Sequence, residues 1–352
     1  MANLRVGTPK FYIDAVLLAK QWGMINWEYQ WMASGVGDDP NDFFNLNPTK
    51  IKIMNRTVES DGAYIRKGVE FKVRQFTNAI SHCFLLGHRF LTTNTLTGIR
   101  VGDLNFETGE YVTVSPQDYV VPYYNGWNLI NLGDATMGLD DGRINLVFKQ
   151  EDVINDVPTT SNEFYAELGE ISLGWSYQMQ HSPDLELTQS FTNESISTQT
   201  TKGGHTLTNV SHNHAPKWLG QQWVQSTLEI PTIVIGSAGR RSWSLKFSYL
   251  SDDDTNNPLF PTAYNTYDGI FEFLNLVGDD PETALEEYSE FNVKKDFLNS
   301  VWFSTNCGQL PFIFQPNSDV QEYAICRITN TPSFTQVANN VYDVSLDIVE
   351  VW

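Results

Sequence analysis

The last eleven residues constrain the fold more than any other stretch. From Tyr342 to Trp352, Val344, Leu346, Ile348 and, less strictly, Val351 alternate with Ser345, Asp347 and Glu350. Successive side chains of a strand point to opposite faces, so a period of two predicts a strand with one buried face. The chain end is therefore expected inside a sheet, with Trp352 in the core or at a subunit contact, because a terminus that is not tied down frays. A second clean alternation at residues 240–250 puts Trp243, Leu245, Phe247 and Tyr249 on one face.

Other segments repeat this on a smaller scale. Short alternating or apolar runs at 51–54, 69–73, 79–86, 98–101, 111–114, 126–132 and 142–148 are separated by Gly, Asn, Asp and Pro, the spacing of an all-β sandwich. Further runs follow at 165–178, 187–191, 195–200 and 210–214. Helix formers at 15–22 stop at Gly23, and Phe297, Leu298, Val301 and Trp302 share a helical face within 294–305, ahead of Gly308. The 352 residues exceed one typical domain of about 100–200. The polar, Pro-containing segment 151–163 is the best linker, giving an N-terminal domain at 1–163 and a second at 164–352. Residues 188–208 are dense in Thr, Ser, Asn and Gly, and within about 181–214 they read as an edge hairpin or as an arm reaching another subunit.

The formal net charge is −20, from 22 basic and 42 acidic side chains. Gripping phosphate takes an excess of Lys and Arg, so no nucleic-acid partner is expected. The charge suits a solvated surface or a cation-binding protein. No run approaches the roughly 18 apolar residues of a membrane span, and residues 1–7 contain no apolar signal core, so neither a membrane span nor signal-directed secretion is expected. Cys83, Cys307 and Cys326 lack metal-ligand spacing and are expected as buried free thiols of a reducing cytosol. Whether Cys307 and Cys326 pair depends on strand neighbours that spacing leaves open.

Two resemblances rest on particular residues. The run 78–88, ending Leu-Leu-Gly87-His88, followed by Gly98-Ile-Arg-Val101, resembles the core strands of galactose-binding-like jelly rolls of the discoidin type, although Arg89 stands where that family has Asn. Across about 166–352, the Trp-Ser-Leu-Lys-Phe strand at 243–247, an acidic loop at 252–254, a helical stretch, Gly-Gln-Leu-Pro-Phe-Ile-Phe-Gln-Pro-Asn at 308–317, a strand with Arg327 and the closing strand look like the tail-tube, distal-tail and minor-tail proteins of bacteriophages. These resemblances imply a mainly β chain of two sandwich domains: an N-terminal jelly roll and a C-terminal sandwich or split barrel with one helix. They also imply a ring-forming structural protein of the virion tail or baseplate, assembled in the host cytoplasm against other tail proteins. Ring contacts are heterologous, so an extended hairpin that a neighbour covers fits that role, with Thr188, Ser197 and Thr200 as interface candidates.

Few side chains suggest chemistry. His205, His212 and His214 form a H-x6-H-x-H cluster that suits a metal by its imidazoles but has no nearby Cys, Asp or Glu; the alternative is surface histidines. Asp134, Asp140 and Asp141 share one loop, either a calcium site of the kind held by jelly rolls or a turn with solvated acids, and the EF-hand spacing is absent. No G-x-S-x-G elbow, G-x-G-x-x-G or P-loop occurs, so an enzyme is not expected, and no cofactor beyond that calcium is implied. Trp22, Trp27, Trp31, Trp218 and Trp223 stack on sugar rings if exposed and otherwise fill cores or contacts. The alternative function is therefore an adhesion module that recognises a host-surface glycan through its first domain.

Overall fold

The computed structural model describes residues 7–22, 25–26, 40–47, 52–57, 64–71, 80–88, 95–101, 117–120, 126–135, 142–150, 163–185, 187–192, 196–210, 240–252, 259–260 and 296–351. Its strands run β1 (Lys10–Asp14), β2 (Ile25–Asn26), β3 (Lys52–Thr57), β4 (Tyr64–Phe71), β5 (Ile80–His88), β6 (Thr95–Val101), β7 (Gln117–Val120), β8 (Gly126–Ala135), β9 (Gly142–Gln150) and β10 (Glu163–Leu168). They continue as β11 (Glu170–Gln178), β12 (Thr188–Thr192), β13 (Ile196–Thr200), β14 (Thr206–Val210), β15 (Arg240–Ser251), β16 (Phe312–Gln315), β17 (Ala324–Ile328), β18 (Ser333–Ala338) and β19 (Val341–Glu350). Helix α1 (Ala15–Trp22) follows β1, and a π-helix occupies Leu298–Phe303. The chain is mainly β, as composition and period predict.

One antiparallel sheet of ten strands organises the molecule, in the order β12-β15-β19-β17-β16-β1-β11-β5-β8, with β18 also paired to β19. Strands from both sides of residue 163 enter it. The first strand, β1, lies between β16 and β11: Phe11 is opposite Phe314 on one side and Tyr177 on the other. A five-stranded sheet (β2-β4-β9-β6-β7) and two strand pairs, β3–β10 and β13–β14, complete the described pairing.

Alternation along β1 explains the two faces of the large sheet. Phe11 and Ile13 join a core with Trp175, Tyr177, Trp243 and Phe314, covered by Ala15, Val16 and Ala19 of α1 and by Phe297 and Val301 at the π-helix. Tyr12 points the other way, into a smaller cluster with Phe84, Leu86, Trp127, Ile313 and Tyr323. Each fully buried side chain of this size contributes about 1.5–3 kcal/mol of transfer free energy. Asp14 ends β1 and caps α1, its Oδ1 accepting the Val16 and Leu17 N–H groups at 2.9 and 3.0 Å. The β1–α1 corner passes so close to β11 that a Cβ on Gly174 would run into the Ile13 carbonyl oxygen, which is why β11 carries glycine there.

Several sequence expectations are refined. The run 165–178 is two strands parted at Gly169, whose N–H donates to the Leu86 carbonyl at 3.0 Å. The helix near 294–305 is a short π-helix with Phe297 and Val301 buried, followed by turns through Gly308 at φ +82°. In β15, Trp243, Leu245 and Phe247 are buried as expected, but Tyr249 is 77% exposed: the register with β19 slips between Phe247 and Leu250, Tyr249 takes φ +62°, and Leu250 fills the core. Glu350, expected on the polar side of the last strand, is buried opposite Arg241. Cys307 is exposed rather than buried; Cys83 and Cys326 are buried, and all three thiols are free. The run at 111–114 and the linker before residue 163 lie outside the described residues.

Candidate assembly surface

The large sheet's edge strand at one end is β12, paired with β15 so that Thr188 faces Ser244 and Thr192 faces Arg240. Thr188 and Ser190 are exposed, and the Ser190 hydroxyl meets that of Ser242 across the pair. After β12 in the chain comes a separate ribbon, β13–β14, paired Ile196↔Val210, Thr198↔Thr208 and Thr200↔Thr206. Its turn is fixed by backbone bonds: Thr201 N–H donates to the His205 carbonyl at 2.8 Å, Gly204 N–H to the Thr201 carbonyl at 2.9 Å, and Gly204 supplies φ +83°. The Thr201 hydroxyl accepts the His205 N–H at 3.1 Å. Thr and Ser here favour strand and turn, and the Gly pair permits the reversal.

Residues 197–209 are exposed throughout, on both faces of the ribbon. Leu207 is 60% exposed, and Phe191 on the adjoining edge 55%. A two-stranded hairpin with no covering surface is at best marginally stable in water. The interface candidates Thr188, Ser197 and Thr200 thus all lie on exposed edge or arm.

At the base of the arm, β15 is locked to the end of β19. Arg241 Nε and Nη2 reach the two Glu350 carboxylate oxygens at 3.0 Å each, Nη1 reaches Glu322 at 2.7 Å, and Nη2 donates to the Tyr323 carbonyl at 2.9 Å. The Arg241 guanidinium lies 5.2 Å from the Trp243 ring centroid. Desolvation alone would lower the Arg241 pKa; the hydrogen bond and charge of Glu350 outweigh it and leave the pKa raised. Neither this network nor the outward Tyr249 was read from the sequence; the signal for the first is that Arg241 and Glu350 extend the alternation of their strands to polar residues.

The remaining candidates do not converge. His205 is exposed at the ribbon turn, and His212 and His214 lie outside the described residues. Asp134 falls in β8, while Asp140 and Asp141 lie outside the described residues. Among the described residues no three His, Cys, Asp or Glu side chains group as metal ligands. Trp352 is outside them; its neighbour Val351 packs beside the second cluster and donates its N–H to the Ile325 carbonyl at 2.8 Å. Among the described residues no helix is long and apolar enough to cross a membrane.

Three buried titratable groups, His82, His88 and Asp14, lie in the strands of the large sheet. His82 is 2% exposed, both ring nitrogens lack a hydrogen bond, and its ring meets Tyr12 edge-on at 5.0 Å. Burial, then the Lys10 charge, pushes its pKa down to about 3. His88 bonds Asn128, and burial lowers it to about 4. Burial lifts the Asp14 carboxyl to about 6, partly offset by the capping N–H groups and by nearby Ser172, whose hydroxyl does not reach hydrogen-bond geometry with it. No known protein family matches the chain, and no curated protein shows significant similarity to it.

Proposed function

We propose that this chain is a structural subunit of a bacteriophage tail or baseplate that assembles into a ring and holds neighbouring tail proteins together. The observation that carries the reading is the ribbon β13–β14, a strand pair of its own that is exposed on both faces. Such an arm gains its stability by lying against another subunit, and a repeated arm-to-neighbour contact generates a ring when its rotation closes. The resemblance of the second half to tail-tube and distal-tail proteins supports the same role, as does a net charge of −20, which keeps a free subunit soluble before assembly.

In this reading residues 1–163 form the jelly-roll part and 164–352 the assembly part, welded through β1 rather than tethered. The protein belongs to the virion, is built in the host cytoplasm, and works by contact rather than catalysis. Negative-stain electron microscopy and mass photometry of the purified chain test it. Rings, or a ring-sized species at micromolar concentration, are the expected result; a strictly monomeric species that also fails to join native particles overturns it.

A further inference from the structure

The ribbon's two faces differ. Strand alternation places Thr198 and Thr200 of β13 on the same face as Thr208 and Thr206 of β14, directly paired, so these four positions are all β-branched. The four threonines are exposed. The other face carries Ser197 opposite Asn209 and Gln199 opposite Leu207. β-Branched cross-strand pairs make a stiff surface of methyls and hydroxyls that can pack on another pleated sheet.

Charge selects the partner. Residues 196–210 contain no Asp or Glu and one Lys, Lys202, in a chain of net −20. The arm is therefore one of the acid-free stretches of the chain, as is 230–251 with its three basic residues, and another copy of this acidic chain does not repel it. One Lys is too little to neutralise a phosphate backbone. The same chain also displays a matching surface: the outer face of β15, β19 and β18, where exposed Ser244, Lys246, Ser345, Ser333 and Thr335 sit in cross-strand register. The arm of a given copy does not cover this face, since both remain exposed.

We propose that the threonine face of β13–β14 seats on the outer β15–β19–β18 face of a second copy of this chain, making the contact heterologous; the inference rests on the ring reading above and names its self-contact. Five residues at about 3.4 Å and two strands at about 4.8 Å give a ribbon face of roughly 170 Å². A stable pairwise interface needs about 800 Å² per partner. The arm thus sets which faces meet and locks a closed ring in which every copy gives and receives one arm, and it does not hold two copies together alone.

The full-length chain tests this by mass photometry, with circular dichroism to confirm the fold of each variant. The pair Thr198→Glu and Thr208→Glu puts two acids on the threonine face, and Ser197→Glu with Asn209→Glu puts two on the opposite face. The first pair is expected to weaken assembly at least about tenfold by placing like charges against an acidic neighbour, and the second to change it less than about threefold. In a Cys307→Ser background, a short bismaleimide is expected to join Thr208→Cys of one copy to Ser345→Cys of another. Assembly that tolerates both pairs alike, with no such crosslink, overturns the arm's role while leaving the ring standing. A wild-type chain that never self-associates overturns the ring and this contact together, as does an arm that engages only a different tail protein.

Discussion

Replacing His82 by leucine offers a sharp test of how the sheet interior is built. His82 lies opposite Gly174, is 2% exposed, and leaves both ring nitrogens without a hydrogen bond. An unsatisfied buried polar atom costs about 1–3 kcal/mol, whereas the edge-on contacts with Tyr12 and Phe84 contribute about 0.5–1.5 kcal/mol each at most. The exchange should therefore be near neutral at pH 7, within about 1.5 kcal/mol, although a large buried side chain is altered. Acid separates the two proteins. A histidine held at about 3 when folded and near 6.5 when unfolded binds its proton preferentially in the unfolded state, so its contribution to stability is intact above about pH 6.5 and is lost as the pH falls toward 3. By pH 4 that loss is roughly 3 kcal/mol. Asp14 acts oppositely: its folded pKa of about 6 exceeds the usual 3.8, so the folded state takes up the proton first and gains roughly 2 kcal/mol between pH 7 and pH 4. In the wild type the Asp14 gain offsets much of the His82 loss, and His88, which is lowered to about 4, adds an acid-side loss of its own. In His82→Leu the His82 loss is absent. Urea unfolding followed by circular dichroism at pH 7, 5.5 and 4 should show the variant roughly 3 kcal/mol more stable relative to wild type at pH 4 than at pH 7. Parallel curves for the two proteins, or a loss above about 3 kcal/mol at pH 7, would refute the picture of a neutral, unpartnered ring.

The other predictions concern the edges of the same sheet. Glu350→Ala leaves the Arg241 charge buried without its bidentate partner and should lower unfolding free energy by about 3–5 kcal/mol, while Arg241→Met combined with Glu350→Leu should recover most of that loss in the same urea titration. Gly174→Ala forces β1 away from β11 and should cost at least about 2 kcal/mol, seen as a lowered midpoint with unchanged slope. Tyr249→Gly, at φ +62° with a side chain mostly in water, should raise stability by up to about 1 kcal/mol, and a loss above about 1 kcal/mol would show that the ring is held. In the native protein iodoacetamide should label Cys307 at least tenfold faster than Cys83 or Cys326, whose burial blocks access and pushes their thiols up; intact-mass and peptide spectrometry read the difference.

Strand content was legible because alternation and β-branched composition act within a few residues. Val344, Leu346 and Ile348 in β19 and Trp243, Leu245 and Phe247 in β15 are buried as their period predicts. Tyr249 continued that period on paper, but a bulge is decided by the fit between β15 and β19, and neither strand alone records it. Glu350 likewise read as a solvent residue because its neutralising partner, Arg241, is far away in the chain. Cys307 read as a core residue from its apolar neighbours, yet it occupies a turn at φ +55° after the π-helix, with its thiol outward. The arm was visible as a polar tract, but its threonine face emerges only once the turn at 201–205 sets the pairing of Thr198 with Thr208.

The placement of β1 makes these edges mechanically relevant. A strand from the start of the chain, held between β16 and β11, must pair after both partners exist, so the large sheet closes through contacts between residues some three hundred positions apart, such as Tyr12 donating to Gln315 at 2.8 Å. Contacts of such separation form late because loop-closure entropy precedes their reward. The outer face of β15, β19 and β18 and the base of the arm both depend on the half of the sheet that β1 joins to the rest. In the proposed contact, the arm would find its receiving surface complete only on a folded copy, which would couple assembly to folding. Destabilising β1, as Gly174→Ala does, should weaken self-association more than its loss of monomer stability alone predicts.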